Sequence, residues 1–154
     1  MRLLVLDFDG VLTDNTVTVS ADGVESVTCW RSDGIGTAAL EAAGVPVIVV
    51  SKERDPVVRV RCEKLGLECH HGVDDKVTVL RRLLAERGID PADVAYVGND
   101  TNDLGCLALV GLPIAVADAH PAVLPAAAVV TTARGGRGAV REVCDRILAA
   151  KEQG

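Results

Sequence analysis

The chain has 154 residues, 49% of them hydrophobic and only 2% aromatic, enough for one aliphatic core and too few for a second of similar size. Its formal net charge of -6 excludes a broad basic surface for nucleic acid, so any phosphate it binds must be met locally. The five cysteines, Cys29, Cys62, Cys69, Cys106 and Cys144, contain no CxxC pair and are odd in number, which points to reduced thiols in a cytoplasmic protein.

Hydrophobic runs read against turn residues place a strand at 3–8, a helix near 34–43, a strand at 45–51, a helix at 56–65 and a short strand near Cys69. A helix at 76–87, a strand at 94–98, a helix at 104–110, a strand at 113–116, a helical turn near 121–125, a strand at 128–131 and a helix at 139–150 follow. Strand and helix alternate with short connections, which predicts an α/β fold: a doubly wound, Rossmann-like parallel sheet with helices on both faces, in one domain over 1–154. The β-rich runs 16–20 and 24–30 flank Ala21-Asp22-Gly23 and predict a small hairpin flap at about 15–30, with no large cap. The chain opens on an apolar strand with no basic leader and shows no long apolar run, so neither export nor a membrane span is expected.

Ligands of such sheets sit at the carboxyl ends of the strands. The first strand runs into Asp7-Phe8-Asp9-Gly10-Val11-Leu12-Thr13-Asp14, two carboxylates two residues apart at that edge. Held on the same side of a strand they repel one another, and a hard divalent cation such as Mg2+, which takes oxygen ligands and keeps several waters, relieves the repulsion. Read alone, the pair is equally a turn with solvated acids.

The stretch Asp7–Asp14 resembles the first motif of the haloacid dehalogenase-like hydrolases, and the similarity extends over nearly the whole chain. The resemblance implies that Asp7 is the nucleophile that attacks phosphorus and that Asp9 is the general acid, then base, of an aspartyl-phosphate pathway. It implies further that Ser51 donates to the phosphoryl group and that Lys76 neutralises it. Asp7, Asp9, Asn99 and Asp100 would hold Mg2+, and Asp103 would orient Lys76. The fourth motif, Gly98-Asn99-Asp100-Thr101-Asn102-Asp103, departs from the usual pattern, which has Asp where Asn99 stands.

The hairpin in place of a cap, together with 114–121 and the Gly-rich stretch 135–142, resembles the capless 3-deoxy-octulosonate 8-phosphate phosphatases and their sialic-acid relatives. That likeness implies a sugar acid phosphate as substrate and a homotetramer in which the hairpins form a central barrel, with Trp30 buried there. Glu53, in Ser51-Lys52-Glu53, favours a nine-carbon substrate, since an acidic side chain accepts from a polyol or an amide. Arg134, Arg137 or Arg141 would meet the substrate carboxylate, and Asp33 and Gly34 would also touch substrate. Two rivals are a catalytically weak oligomerisation domain of the kind attached to acylneuraminate cytidylyltransferases and a receiver-type phosphoacceptor. His70 and His71 beside Cys69 do not have the spacing of a transition-metal site, because neighbours on a strand face opposite sides.

Overall fold

A computed structural model describes residues 1–153. Its strands are β1 (Leu3–Leu6), β2 (Thr18–Val19), β3 (Glu25–Ser26), β4 (Val47–Val50), β5 (Glu68–His70), β6 (Val94–Gly98), β7 (Leu112–Ala115) and β8 (Val129–Val130). Its helices are α1 (Arg31–Ala42), α2 (Val57–Leu65), α3 (Lys76–Arg87), α4 (Leu104–Leu109) and α5 (Ala139–Glu152), with single 3-10 turns at Pro91–Asp93, Thr101–Asp103 and Leu124–Ala126.

Six strands form one parallel sheet in the order β5-β4-β1-β6-β7-β8. The chain therefore moves outward from β1 through β4 to β5, then crosses back and places β6 on the other flank of β1. Right-handed crossovers put the helices before and after that reversal on opposite faces, and α1 packs on α5 while α3 packs on α4. The doubly wound sheet expected from the alternation is present, with its topological switch point between β1 and β6. Leu-Leu-Val-Leu in β1 and Val-Ile-Val-Val in β4 are buried at every position, as strands covered on both faces require. Phe8 and Tyr96 are the aromatic members of an otherwise aliphatic core.

Most boundaries shift by a residue or two from the sequence expectation, and the departures around the first strand, α1 and the hairpin have identifiable causes. The first strand ends at Leu6, because the Phe8 carbonyl accepts from the backbone N–H groups of Val11, Leu12 and Thr13 and turns the chain out of the sheet. Helix α1 begins at Arg31 rather than near Gly34, entered directly from the extended Trp30. The hairpin is present as an antiparallel pair of two-residue strands, Thr18 opposite Ser26 and Val19 opposite Glu25, closed by a turn with Gly23 at positive φ. It carries no third strand to extend against.

Candidate active site

The ends of β1, β4 and β6 open onto a cavity of about 180 Å3 lined by Asp7, Asp9, Asn15, Ser51, Lys52, Glu53, Asn99, Asp100 and Asn102. At its base Lys76, the first residue of α3, is 3% exposed and spans two carboxylates, with Nζ 2.7 Å from Asp7 Oδ1 and 2.9 Å from Asp103 Oδ1. Asp75 caps α3 by accepting from the Thr78 N–H, which fixes the helix start and hence the root of Lys76. Asp103 is fully buried and accepts from four donors: Lys76 Nζ, Tyr96 Oη at 2.6 Å, and the backbone N–H groups of Asn99 at 2.9 Å and Asp100 at 3.3 Å. One side chain thus orients the lysine and pins the β6 loop that carries Asn99 and Asp100.

Burial, and then the charge of Asp103, push the Asp7 carboxyl well above the usual carboxylate range, against the pull of Lys76 and the Phe8 N–H. Burial opposes the Lys76 ammonium, but Asp7 and Asp103 outweigh it and hold its pKa above the ordinary lysine value. One ammonium shared between two carboxylates leaves the cluster with an excess negative charge, and Asp7 carries the strain of it. Asp9 is also raised, by burial first and by Glu53 second.

That excess is the observation against which a cation can be judged. Among the described residues no three His, Cys, Asp or Glu side chains converge as a metal cage. Among the donors on the cavity are the carboxylates of Asp7, Asp9 and Asp100 and the amide of Asn99, which offer hard oxygens. A site with few protein ligands and room for water is the kind Mg2+ uses, and the residues fit it. The same set does not suit a thiophilic metal.

The loops around Asp7 are fitted backbone to backbone. Gly10 has positive φ, and a Cβ there would overlap the Asn99 side chain, so glycine lets that amide reach the cavity. A Cβ on Gly135 would overlap the Gly10 carbonyl, and one on Gly136 would overlap the Thr13–Asp14 peptide. The Gly-rich stretch accordingly seats against the Asp7 loop, tied to it by Gly136 N–H on Val11 O at 3.0 Å, and it is held to the segment after β7 by Gly135 N–H on Asp118 Oδ1 at 2.9 Å. Buried Thr13 completes the loop, its Oγ1 accepting from Gly10 and Asn15 N–H groups at 3.0 and 3.2 Å.

Asp7, Asp9, Ser51, Glu53, Asn99 and Asp100 thus lie on one cavity, with Lys76 and Asp103 directly beneath. The remaining candidates lie elsewhere. Asp33 is wholly buried between α1 and α5, where its Oδ1 accepts from Arg141 N–H at 3.0 Å and serves the start of α5. Gly34 packs over Leu65, away from the acids. Arg137 pairs with Asp14 at 3.2 Å, Arg141 with Asp145 at 2.8 Å, and Arg134 is exposed; none of the three lines the cavity. Glu53 does line it, but its Oε1 accepts from Arg54 and Asp55 N–H groups at 2.7 and 2.8 Å, so one oxygen is committed to its own loop. Sequence reasoning missed Asn15, Lys52 and Asn102 on the cavity wall and Tyr96 behind Asp103. Lys52 stands between Ser51 and Glu53, both legible as candidates, whereas the positive φ of Asn15 leaves no mark in the sequence.

Residues 61–142 match the family model of the haloacid dehalogenase-like hydrolases. The 3-deoxy-D-manno-octulosonate 8-phosphate phosphatase KdsC of Yersinia pestis is 40% identical over 154 residues, covering 99% of this chain and 82% of the relative. A crystal structure of the Yersinia pestis phosphatase superposes with a TM-score of 0.95 at 40% identity, covering 99% of this chain and 83% of the other. The phosphatase of the same name from Moraxella catarrhalis, in complex with magnesium, phosphate and KDO, gives a TM-score of 0.94 at 33% identity, over 97% of this chain and 87% of that one. The relatives named above carry the octulosonate 8-phosphate name, which gives the nine-carbon expectation drawn from Glu53 no support, while Mg2+ is the cofactor that the donor set suits and that the Moraxella catarrhalis structure holds. With an acidic β1 end, a buried lysine and an acidic β6 loop brought to one cavity, the chain belongs to the haloacid dehalogenase-like hydrolases, on the phosphatase branch that these relatives occupy.

Proposed function

We propose that this protein hydrolyses the phosphomonoester of 3-deoxy-octulosonate 8-phosphate through an aspartyl-phosphate on Asp7. The reading is carried above all by the Asp7–Lys76–Asp103 chain of ion pairs at the base of a cavity at the switch point of the sheet. An Asp7 carboxylate oxygen attacks phosphorus as the ester P–O bond breaks, and Asp9 gives its proton to the leaving alkoxide. Burial, and Glu53 beside it, raise the Asp9 pKa, the direction that favours a general acid. Asp9 then takes a proton from water, whose oxygen attacks phosphorus while the P–O bond to Asp7 breaks, releasing inorganic phosphate. Lys76 faces the phosphoryl oxygens from below, and Ser51, 1% exposed, accepts from the Glu53 N–H at 3.1 Å and keeps its own hydroxyl hydrogen for the phosphoryl group. Mg2+ held by Asp7, Asp9, Asn99 and Asp100 would supply charge neutralisation for the phosphoryl group and the nucleophile.

The test is phosphate release, with Mg2+, from octulosonate 8-phosphate and a nonulosonate 9-phosphate by the parent and by Asp7→Asn. The parent should release phosphate from the eight-carbon acid and Asp7→Asn should release none while unfolding at a similar temperature. Undiminished turnover by Asp7→Asn would sink the covalent mechanism, and exclusive turnover of the nine-carbon ester would sink the substrate. A catalytically idle domain is disfavoured because it would have no use for an ammonium buried between two carboxylates, an arrangement costly to desolvate.

The same reading extends to assembly and location. Exposed Val17, Val19 and Val24 on the flap, and an apolar groove lined by Val27, Ile35, Val57, Val60 and Leu65, support a homotetramer in which copies cover these surfaces. Five free cysteines support the cytoplasm, and no helix among the described residues is long and apolar enough to cross a membrane.

A further inference from the structure

Four carboxylates, Asp7, Asp9, Glu53 and Asp100, line the cavity, and Lys52 is the one cationic side chain among the residues that do. Lys76 lies beneath, its ammonium already divided between Asp7 and Asp103. A phosphorylated sugar acid brings about two negative charges on its phosphate, and its carboxylate adds one more. Mg2+ and Lys76 answer the phosphate. The distant carboxylate must still enter past Glu53, Asp9 and Asp100, and like charges brought together on docking penalise binding unless a cation is placed between them.

The arginines that could supply it are engaged or remote. Arg54, in the same loop, is paired with Asp74 at 2.8 Å; Arg137 and Arg141 are held by Asp14 and Asp145; Arg134 does not line the cavity. Lys52 is exposed and makes no ion pair among the described residues. Its neighbour Glu53 has turned an oxygen onto the backbone of Arg54 and Asp55 and so does not claim it. The backbone on either side is fixed, with Ser51 N–H on His70 O at 2.8 Å and Glu53 N–H on Ser51 Oγ. A flexible ammonium is thereby rooted on a rigid loop one residue from Ser51, at the mouth rather than the base.

We infer that Lys52 is a specificity-determining residue, the cation that receives the carboxylate of a sugar acid phosphate while the phosphate lies over Asp7. This rests on the phosphatase reading above and adds to it the reason an acid should be preferred over a neutral sugar phosphate.

The experiment compares kcat/KM for octulosonate 8-phosphate and for glucose 6-phosphate, which lacks the carboxylate, in the parent, Lys52→Gln and Lys52→Arg. Lys52→Gln should lose ~10- to 100-fold on the acid, mainly through KM, as expected for deleting one charge-assisted partner. The loss on the neutral ester should be smaller by about 10-fold or more, and Lys52→Arg should restore most of the preference, since a long cation suffices. Equal losses on both esters would mean that Lys52 serves the phosphate or the fold, and no loss on the acid would mean that it contacts neither; each overturns the inference while leaving the phosphatase reading standing. Absence of turnover of either ester by the parent overturns both readings together.

Discussion

At the scale of single residues, the site is organised by one ammonium and the two carboxylates it joins. Lys76→Met would leave Asp7 and Asp103 facing each other, buried and without a cation; breaking a buried pair this way costs about 3–5 kcal/mol, more than most surface changes by several-fold. The variant should unfold at lower denaturant concentration by that amount and lose turnover by at least ~10²-fold, measured by chemical denaturation and phosphate release. Unchanged stability would mean that the pair is not formed in solution. Most of this cluster was legible in the sequence through the resemblance of its motifs, and Asp7, Asp9, Ser51, Lys76, Asn99, Asp100 and Asp103 follow strand ends or open a helix, where the fold brings them to one edge. Tyr96 was not, since a tyrosine within an apolar strand reads as core until its hydroxyl is seen on Asp103. Arg137 and Arg141 stand off the cavity for a physical reason too: a long exposed side chain pairs with whatever acid is near, and nothing in sequence spacing gives that acid away.

At the scale of elements, α1 and α5 are joined by a carboxylate that sequence reading had assigned to substrate. The start of α1 at Arg31 puts Asp33 into its first turn, facing α5, where Oδ1 meets Arg141 N–H and Oδ2 is left without a partner. Burial, against the pull of that N–H and of the Arg61 and Arg141 charges, raises the Asp33 pKa from 3.8 to about 6. The sign follows from linkage: a carboxyl raised on folding is held protonated by the native state, so its ionisation subtracts stability as pH climbs from about 4 to about 6. Asp33→Asn removes that ionisation and keeps the acceptor for Arg141. Its unfolding free energy relative to the parent should therefore rise across that window by on the order of 2 kcal/mol and level off above about pH 7. Denaturation curves at intervals from about pH 4 to 8 measure it, and a flat difference would show that Asp33 is not desolvated. Between loops, Gly135→Ala drives a methyl into the Gly10 carbonyl. It should cost about 1–3 kcal/mol as an overpacked contact and lower kcat by displacing the Asp7 loop, whereas an alanine at Gly44, open but at positive φ, should cost about 1 kcal/mol of backbone strain and leave kcat unchanged.

For the molecule as a whole, the parallel sheet was readable because β1 and β4 are uninterrupted aliphatic runs and β6 is apolar at every position but for the hydroxyl of Tyr96, as burial on both faces requires. The flap was readable as a hairpin but not in its extent, since its strands form only two residue pairs and hydrophobic alternation continues beyond them. That leftover alternation has a physical consequence. Val17, Val19 and Val24 remain 53%, 60% and 62% exposed, and an isolated two-stranded ribbon is marginal in water. Copies of the flap packed against one another would bury these valines and lengthen the ladder, so the sequence makes sense in an assembly more than in a lone chain. Val19→Glu with Val24→Glu places charges directly on that surface without touching the sheet or the cavity. Sedimentation at micromolar concentration should give a tetramer for the parent and a smaller species for the double variant. Far-UV dichroism should be nearly unchanged, since only the short ribbon is altered. If neighbouring copies also shield each cavity from water, turnover should fall with dissociation and recover in part as the variant is concentrated. A parent that sediments as a monomer would overturn the assembly, and a dissociated variant with full turnover would confine the flap to holding subunits together.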